Sequence, residues 1–166
     1  MPLRALRADI TALKVDAIVN AANERLAPGG GVCGAIHRAA GPELAAACAA
    51  IGHCPTGEAR STPGFRLLAR YVIHAVGPVW HGGGQGEARL LAGAYQASLA
   101  ELRRLGGHSI AFPAISTGIY GYPKEQATKI AVQTVRADLA AHGDLEVIFA
   151  CFDEPMLHLY EKELAA

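Results

Sequence analysis

The sequence carries no excess charge of either sign, because fifteen Lys and Arg side chains balance fifteen Asp and Glu. Nothing therefore attracts nucleic acid or an anionic membrane from a distance, and no run of Lys and Arg supplies a local patch. Long apolar runs are missing too: none approaches the roughly 18 residues that mark a transmembrane helix. Met1 to Arg7 lacks the apolar core of a signal peptide. Cysteine is sparse. Cys33, Cys48, Cys54 and Cys151 show no paired spacing that suits zinc, and adjacent His53 and Cys54 are poorly placed to chelate one ion together. The expectation is a cytoplasmic protein with free thiols and no metal, for which neither a membrane nor nucleic acid is a partner.

Hydrophobic residues make up 51% of the chain and charged residues 18%, the balance of a globular fold rather than a disordered one. A length of 166 residues suits one domain, residues 1–166, with a single sizeable core. Glycine is plentiful and concentrated. In Pro28 to His37 the run Gly29-Gly30-Gly31 is followed by Val32, Cys33 and Gly34, and a helical pattern begins at Ala35. A glycine loop feeding a helix aims unpaired N–H groups at one point, where the helix dipole also favours negative charge. Phosphate fits such a point. A flexible loop without a ligand is the competing reading. Gly29, Gly31 and Gly34 satisfy the dinucleotide pattern G-x-G-x-x-G, but the preceding strand ends near Ala22, too far back for that tight turn. No Gly-Lys-Ser/Thr follows to make a Walker loop.

In chain order, Leu3 to Ala8 reads as an opening strand closed by Asp9-Ile10-Thr11, and Asp16 to Ala22 as a buried strand. Glu43 to Ile51 is an alanine-rich helix after Gly41-Pro42. A turn at Cys54 to Gly57 precedes a short strand, Ala59 to Thr62, and a stronger one, Tyr71 to Val76. Leu91, Tyr95, Leu99 and Leu102 mark one face of a helix over Glu87 to Leu105. Ser109 to Ile115 is a strand, Ser116 to Pro123 a second glycine-bearing loop and Lys124 to Ala141 a helix. Leu145 to Phe152 is the last strand, and Pro155 to Leu164 closes the chain as a helix. Alternating strands and helices predict an α/β fold, a mostly parallel sheet covered on both faces.

In open α/β sheets ligands collect beyond the carboxyl ends of the strands. Asp9 and Ile10, Asn20 and Asn23, the Ser116 to Tyr122 loop, and Phe152 all fall there. Each has a plainer alternative. Asp9 can cap a turn at Thr11, the Asn20 amide can serve a structural pairing, and the Ser116 loop can be an ordinary turn. Phe152 can be core, or stack on a base. Neither glycine loop contains Lys or Arg, so a diphosphate between them would be held by backbone N–H groups.

These stretches together resemble one family. Asp9-Ile10-Thr11, Val19-Asn20-Ala21-Ala22-Asn23, Gly29 to Arg38, Ala39-Ala40-Gly41-Pro42 and Cys54 to Ala59 are similar to the macrodomain signature. So are Val72 to Pro78 and Phe112 to Pro123, in the same order along nearly the whole chain. The likeness is greatest to the MacroD-type branch, whose members bind ADP-ribose and hydrolyse its acyl esters, either O-acetyl-ADP-ribose or ADP-ribosyl groups on acidic side chains. The resemblance implies a three-layer α/β/α sandwich with a mixed six-stranded sheet, no cofactor, and ADP-ribose, its esters and mono-ADP-ribosylated proteins as partners. It implies that Asp9 accepts from the adenine amino group, that the Ile10 N–H contacts the ring, and that Phe152 packs on it. Gly30, Gly31, Val32, Cys33 and Gly34 would clasp the diphosphate from one side. Ser116, Thr117, Gly118, Ile119 and Tyr120 would clasp it from the other. Asn20 and Asn23 would lie near the distal ribose, His37 near the reacting end, and Tyr120 over the distal ribose.

One position departs from the pattern. MacroD-type enzymes commonly carry Asp where this chain has Cys33, and that Asp is a candidate for orienting the attacking water. A thiol is a weak hydrogen-bond partner and a poor substitute for a carboxylate. Three readings follow. Water can be activated by the substrate's own phosphate and placed by Asn23 and backbone groups, with Cys33 a filler. Catalysis can be absent, leaving an ADP-ribose reader. Or Cys33 can itself react, paired with His37 one helical turn on.

Overall fold

Among the described residues five helices pack on six strands, and the order in which the chain visits those strands creates the cleft. The computed structural model describes residues 3–166; Met1 and Pro2 of the stretch read for a signal peptide lie outside the described residues. The chain runs β1 (Leu3–Arg7), a 3-10 turn (Ile10–Ala12), β2 (Ala17–Ala21), α1 (Gly31–Ala40), α2 (Pro42–Ile51), β3 (Ala59–Pro63) and β4 (Tyr71–Ala75). It continues through α3 (Glu87–Arg104), β5 (Ser109–Phe112), α4 (Lys124–His142), β6 (Glu146–Cys151) and α5 (Glu154–Ala165). The sheet order is β1-β6-β5-β2-β4-β3, and only β3 runs antiparallel to its neighbour. This is the expected mixed α/β/α sandwich.

Alternation along the strands builds a core on each face. Ala17, Val19, Ile73, Ile110, Phe112, Val147 and Phe149 face α3, α4 and α5. On the other side Ile18, Val72, Ala111 and Ile148 meet Ile36 and Ala40 of α1 and Leu44 and Cys48 of α2. An aromatic line crosses the first core: the Tyr95 and Phe112 rings lie 4.9 Å apart and those of Phe149 and Tyr160 4.7 Å apart. Arg103 and the nearly buried Asp138 pair at 2.6 Å and tie α3 to α4. No helix among the described residues is long and apolar enough to cross a membrane.

After β2 the chain moves out to β3 at the sheet edge and turns back into β4 beside β2, and after β4 it crosses to β5 on the other side of β2. Pairing between β2 and β5 covers only Ala17 with Ile110 and Ile18 with Ala111. Beyond Phe112 stands Pro113, which has no N–H to continue the ladder; β5 therefore stops short of the expected Ile115. The two strands part towards their carboxyl ends, and the crevice of the topological switch point opens between them.

Helix α1 differs from its expected start. It begins at Gly31, not Ala35, so Gly31 to Gly34 form the helix's first turn and Gly29 and Gly30 precede it. Glycine is a poor helix former, which hides that turn from periodicity. Gly34 needs to be glycine for a separate reason, because a Cβ there would stand 2.5 Å from the Gly29 carbonyl oxygen.

Candidate functional site

The carboxyl edge of the sheet holds a cleft of about 1180 Å³. Its lining comes from the segments after β1, β6, β5 and β2, in that spatial order, with Gly77 after β4 at the far side.

At the β1 and β6 end, Asp9 caps the 3-10 turn: its Oδ1 accepts from the Thr11 N–H at 3.0 Å and the Thr11 hydroxyl at 2.7 Å. The capping role does not use Oδ2, which stays free for a ligand donor. Beside it the Phe152 ring is 90% exposed yet lines the cleft. Such an aromatic face, outside the core, is built to be covered. Asp153 caps α5 by accepting from the Met156 N–H at 3.0 Å, and this fixes the turn that presents Phe152.

The middle is framed by two backbone jaws. Gly30 precedes α1 in an extended conformation and no side chain caps the helix; Gly34 is the first residue to enter the ladder, donating to the Gly30 carbonyl at 3.2 Å. The N–H groups of Gly31, Val32 and Cys33 are thus the orphan donors of the first turn, and all three residues line the cleft. Gly31 has φ +57°, a left-handed conformation suited to glycine. The facing jaw, Ser116 to Tyr120, turns through Ser116 at φ +68°. The Thr117 hydroxyl donates to the Ala114 carbonyl at 2.8 Å, and the Tyr122 N–H to the Ser116 carbonyl at 2.9 Å. The Ser116 Oγ is buried with no partner and leaves no room for a Cβ on Gly77. At the tip, Ile119 is 99% exposed.

The β2 end holds Asn23, Cys33 and Tyr120. The Asn23 amide brackets its own loop, donating to the Ala27 carbonyl at 2.9 Å and accepting from the Ala27 N–H at 3.1 Å. One further N–H and one lone pair remain for a ligand. The Cys33 thiol donates to the Ala27 carbonyl at 3.8 Å and receives the Asn20 amide N–H at 3.7 Å. Burial first, and then the Glu24 carboxylate, hold the Tyr120 phenol above its ordinary range.

Two residues expected in the cleft lie beneath it. Asn20 is buried in β2, with its amide nitrogen 3.0 Å from Nδ1 of His74. His37 sits inside α1 with both ring nitrogens buried and without partners, and burial lowers its pKa. Neither lines the cleft, nor does Gly34, which packs against Gly29 behind the first turn. The other expected residues come together along the lining. All four cysteines are free and buried, and among the described residues no group of His, Cys, Asp and Glu is arranged to hold a metal ion.

The structure adds residues that motif reading missed. Arg7, Lys124 and Met156 also line the cleft; their only signal in the sequence is adjacency to Asp9, Pro123 and Phe152. Glu87 does more than start α3. Its carboxylate accepts from the N–H groups of His81 at 2.8 Å, Gly83 at 3.0 Å and Gln85 at 2.6 Å. Burial alone would raise its pKa, but these backbone donors outweigh burial and bring it to about 2. The loop so ordered supports the second jaw: the Trp80 N–H donates to the Tyr120 carbonyl at 2.9 Å and the Trp80 ring packs 4.6 Å from Tyr122.

A crevice at the switch point, with orphan N–H groups on one wall and a bare aromatic ring at one end, is accompanied by a matching sequence. The Macro domain family profile covers residues 19–131. The chain belongs to the Macro domain family. A Macro domain-containing protein of Chlorobaculum tepidum is 59% identical to this macrodomain, across 99% of this chain and 96% of its own. The O-acetyl-ADP-ribose deacetylase of Klebsiella pneumoniae is 56% identical, across 95% and 93% of the two chains. The Oceanobacillus iheyensis macrodomain with ADP superposes with a TM-score of 0.95 at 41% identity, across 98% of this chain and 90% of its own. This macrodomain is thus homologous to O-acetyl-ADP-ribose deacetylases and shares the fold of a macrodomain solved with ADP.

Proposed function

We propose that residues 1–166 form a single macrodomain that binds ADP-ribose along the cleft and hydrolyses acyl esters of its distal ribose. The observation that carries this reading is the graded lining. From the exposed Phe152 and the free Asp9 oxygen, past the two backbone jaws, to Asn23 and Cys33, the cleft crosses three interstrand spacings, about 14 Å at about 4.8 Å each. That order matches a base, a diphosphate and a second sugar laid end to end. The relatives' names fit it: one is a deacetylase of O-acetyl-ADP-ribose and another was solved with ADP.

The jaws suit a diphosphate. The α1 N-terminus directs three N–H groups and its dipole at one point, and no cation is needed within either jaw. The ester carbonyl would then lie near Asn23 and Cys33. Water adds to that carbonyl, the ribose oxygen leaves and takes up the proton, and the products are ADP-ribose and a carboxylic acid. The substrate's own phosphate oxygen serves as the base that accepts the water proton, and Asn23 with the nearby backbone holds the water in place. Most of the rate comes from such positioning and preorganised dipoles. Acyl-linked ADP-ribose on acidic side chains presents the same ester, so mono-ADP-ribosylated proteins are substrates of the same chemistry.

A thiol nucleophile gains no support from the geometry. The Cys33 sulfur contacts Ala27 and Asn20, and the His37 nitrogens have no partner at all. A reader without turnover is the second reading, favoured by the thiol at Cys33 and by the Asn23 amide already engaged with Ala27. Incubation with O-acetyl-ADP-ribose and with Glu-linked ADP-ribosyl protein separates the two. Release of ADP-ribose from either supports the hydrolase. Tight ADP-ribose binding with no release from both leaves only the reader.

A further inference from the structure

We propose that His74 is a positioning residue for the cleft: held in one tautomer between Thr62 and Asn20, it orients the Asn20 amide so that an N–H points at the Cys33 sulfur. Asn20 and His74 are direct register partners on β2 and β4. Both are buried, on the face covered by α1 and α2, the face of Ile18 and Val72.

The donor pattern follows from the atoms. The Asn20 amide nitrogen, 3.0 Å from Nδ1 of His74, can only donate, so Nδ1 must be bare. Burial, with His37 nearby, pushes the His74 pKa down to about 4, and the ring is neutral. Its one proton then sits on Nε2, 2.9 Å from the Thr62 hydroxyl oxygen, with the Cys48 sulfur 3.6 Å away. The second amide hydrogen of Asn20 is left for the Cys33 sulfur at 3.7 Å. Reversing the amide would bury an NH₂ group without acceptors, whereas the observed orientation leaves only Oδ1 without a partner. Orphaning one acceptor costs less than orphaning two donors.

Cys33 is the third residue of α1, inside the turn whose N–H groups form the first jaw. A donor fixed at its sulfur ties that turn to the sheet. His74 reaches the cleft only through Asn20. The assignment itself does not need turnover; only its ligand-affinity arm rests on the function proposed above.

Long-range ¹H–¹⁵N correlation spectra of the labelled full chain at neutral pH read the tautomer directly. A bare Nδ1 and a protonated Nε2 are expected at His74; the opposite tautomer overturns the proposal. Iodoacetamide labelling of the folded protein, located by peptide mass, then reads Cys33, which lines the cleft and keeps 6% exposure where Cys48, Cys54 and Cys151 keep at most 1% and stand away from it. In His74→Phe, checked for folding by circular dichroism, the Asn20 amide loses its anchor and the first turn of α1 its tie to the sheet, so labelling of Cys33 speeds up several-fold and ADP-ribose binds several-fold more weakly. His74→Asn, whose Oδ1 replaces the Nδ1 acceptor, restores both. Should His74→Phe not fold, Thr62→Val removes the Nε2 acceptor at nearly constant volume and speeds labelling in the same way. An unchanged labelling rate in folded His74→Phe, or in Thr62→Val where that stands in, overturns the proposal. If the tautomer and labelling results hold but wild type does not bind ADP-ribose, the function proposed above falls and the role of His74 stands.

Discussion

Gly34 faces the Gly29 carbonyl so closely that a Cβ would stand 2.5 Å from the oxygen, and 3.1 Å from Arg38 Nη1. Backbone blocks the methyl group, so the first turn of α1 must move if Gly34 carries one. Gly34→Ala is therefore expected to misplace the N–H groups of Gly31 to Cys33. ADP-ribose affinity falls about tenfold or more, about 1.4 kcal/mol, measured by calorimetry. Gly30, where a Cβ meets nothing within 4 Å, is the internal control: Gly30→Ala keeps the melting temperature of wild type.

Phe152 contributes little to the core, being 90% exposed. Phe152→Ala should leave thermal stability within about 0.5 kcal/mol of wild type. It should weaken ADP-ribose by roughly 0.5–1.5 kcal/mol, the usual worth of an aromatic pair. Calorimetry on ADP-ribose and on ribose 5-phosphate separates the cause. The loss should appear for ADP-ribose and not for the ligand without a base.

The Glu87 carboxyl titrates lower in the folded chain, near 2, than at its ordinary 4.5. A depressed folded pKa gives stability that is present above pH 4.5 and lost as pH falls towards 2. Glu87→Gln is expected to be less stable than wild type at neutral pH, and the two should converge in acid. Urea unfolding across this range reads the difference. Because the loop ordered by Glu87 supports Tyr120 through Trp80, the variant should also bind ADP-ribose more weakly at neutral pH.

Most of the strand set was legible because apolar runs such as Ile18-Val19 and Val147-Ile148-Phe149 have few other uses in a chain of this length. The start of α1 was not, since Gly31 has a positive φ that suits glycine at a helix entrance but breaks the periodic pattern. Asn20 stood out as an amide in a buried strand in need of a partner. That partner, His74, lies 54 residues away on a strand whose register with β2 no local pattern encodes. Glu87 shows the same limit: the sequence displays an acidic residue in a helix's first turn, while its ligands are three backbone N–H groups of the preceding loop. The cleft itself was readable because strand ends gather at one edge of a parallel sheet. Arg7 and Lys124 escaped notice because a charged residue at the end of a strand or the start of a helix is ordinary.

Cys33 carries the sharpest question about turnover. With the substrate's phosphate as the base, Cys33→Ser keeps kcat on O-acetyl-ADP-ribose within about threefold, under ~1 kcal/mol. Cys33→Asp also changes it little. A rise of about a hundredfold in Cys33→Asp would mean that a carboxylate is missing from the native site and that the substrate does not serve as its own base. Collapse of activity in Cys33→Ser would restore the thiol as a participant.

Titration of the ¹⁵N-labelled protein with ADP-ribose, followed through every backbone amide, tests the central claim most directly. Saturable shifts should appear at Ile10 and Phe152, at Gly31 to Cys33 and at Ser116 to Tyr120 together, with one dissociation constant for all three groups. Shifts confined to one end of the cleft, or centred elsewhere on the molecule, would contradict the account.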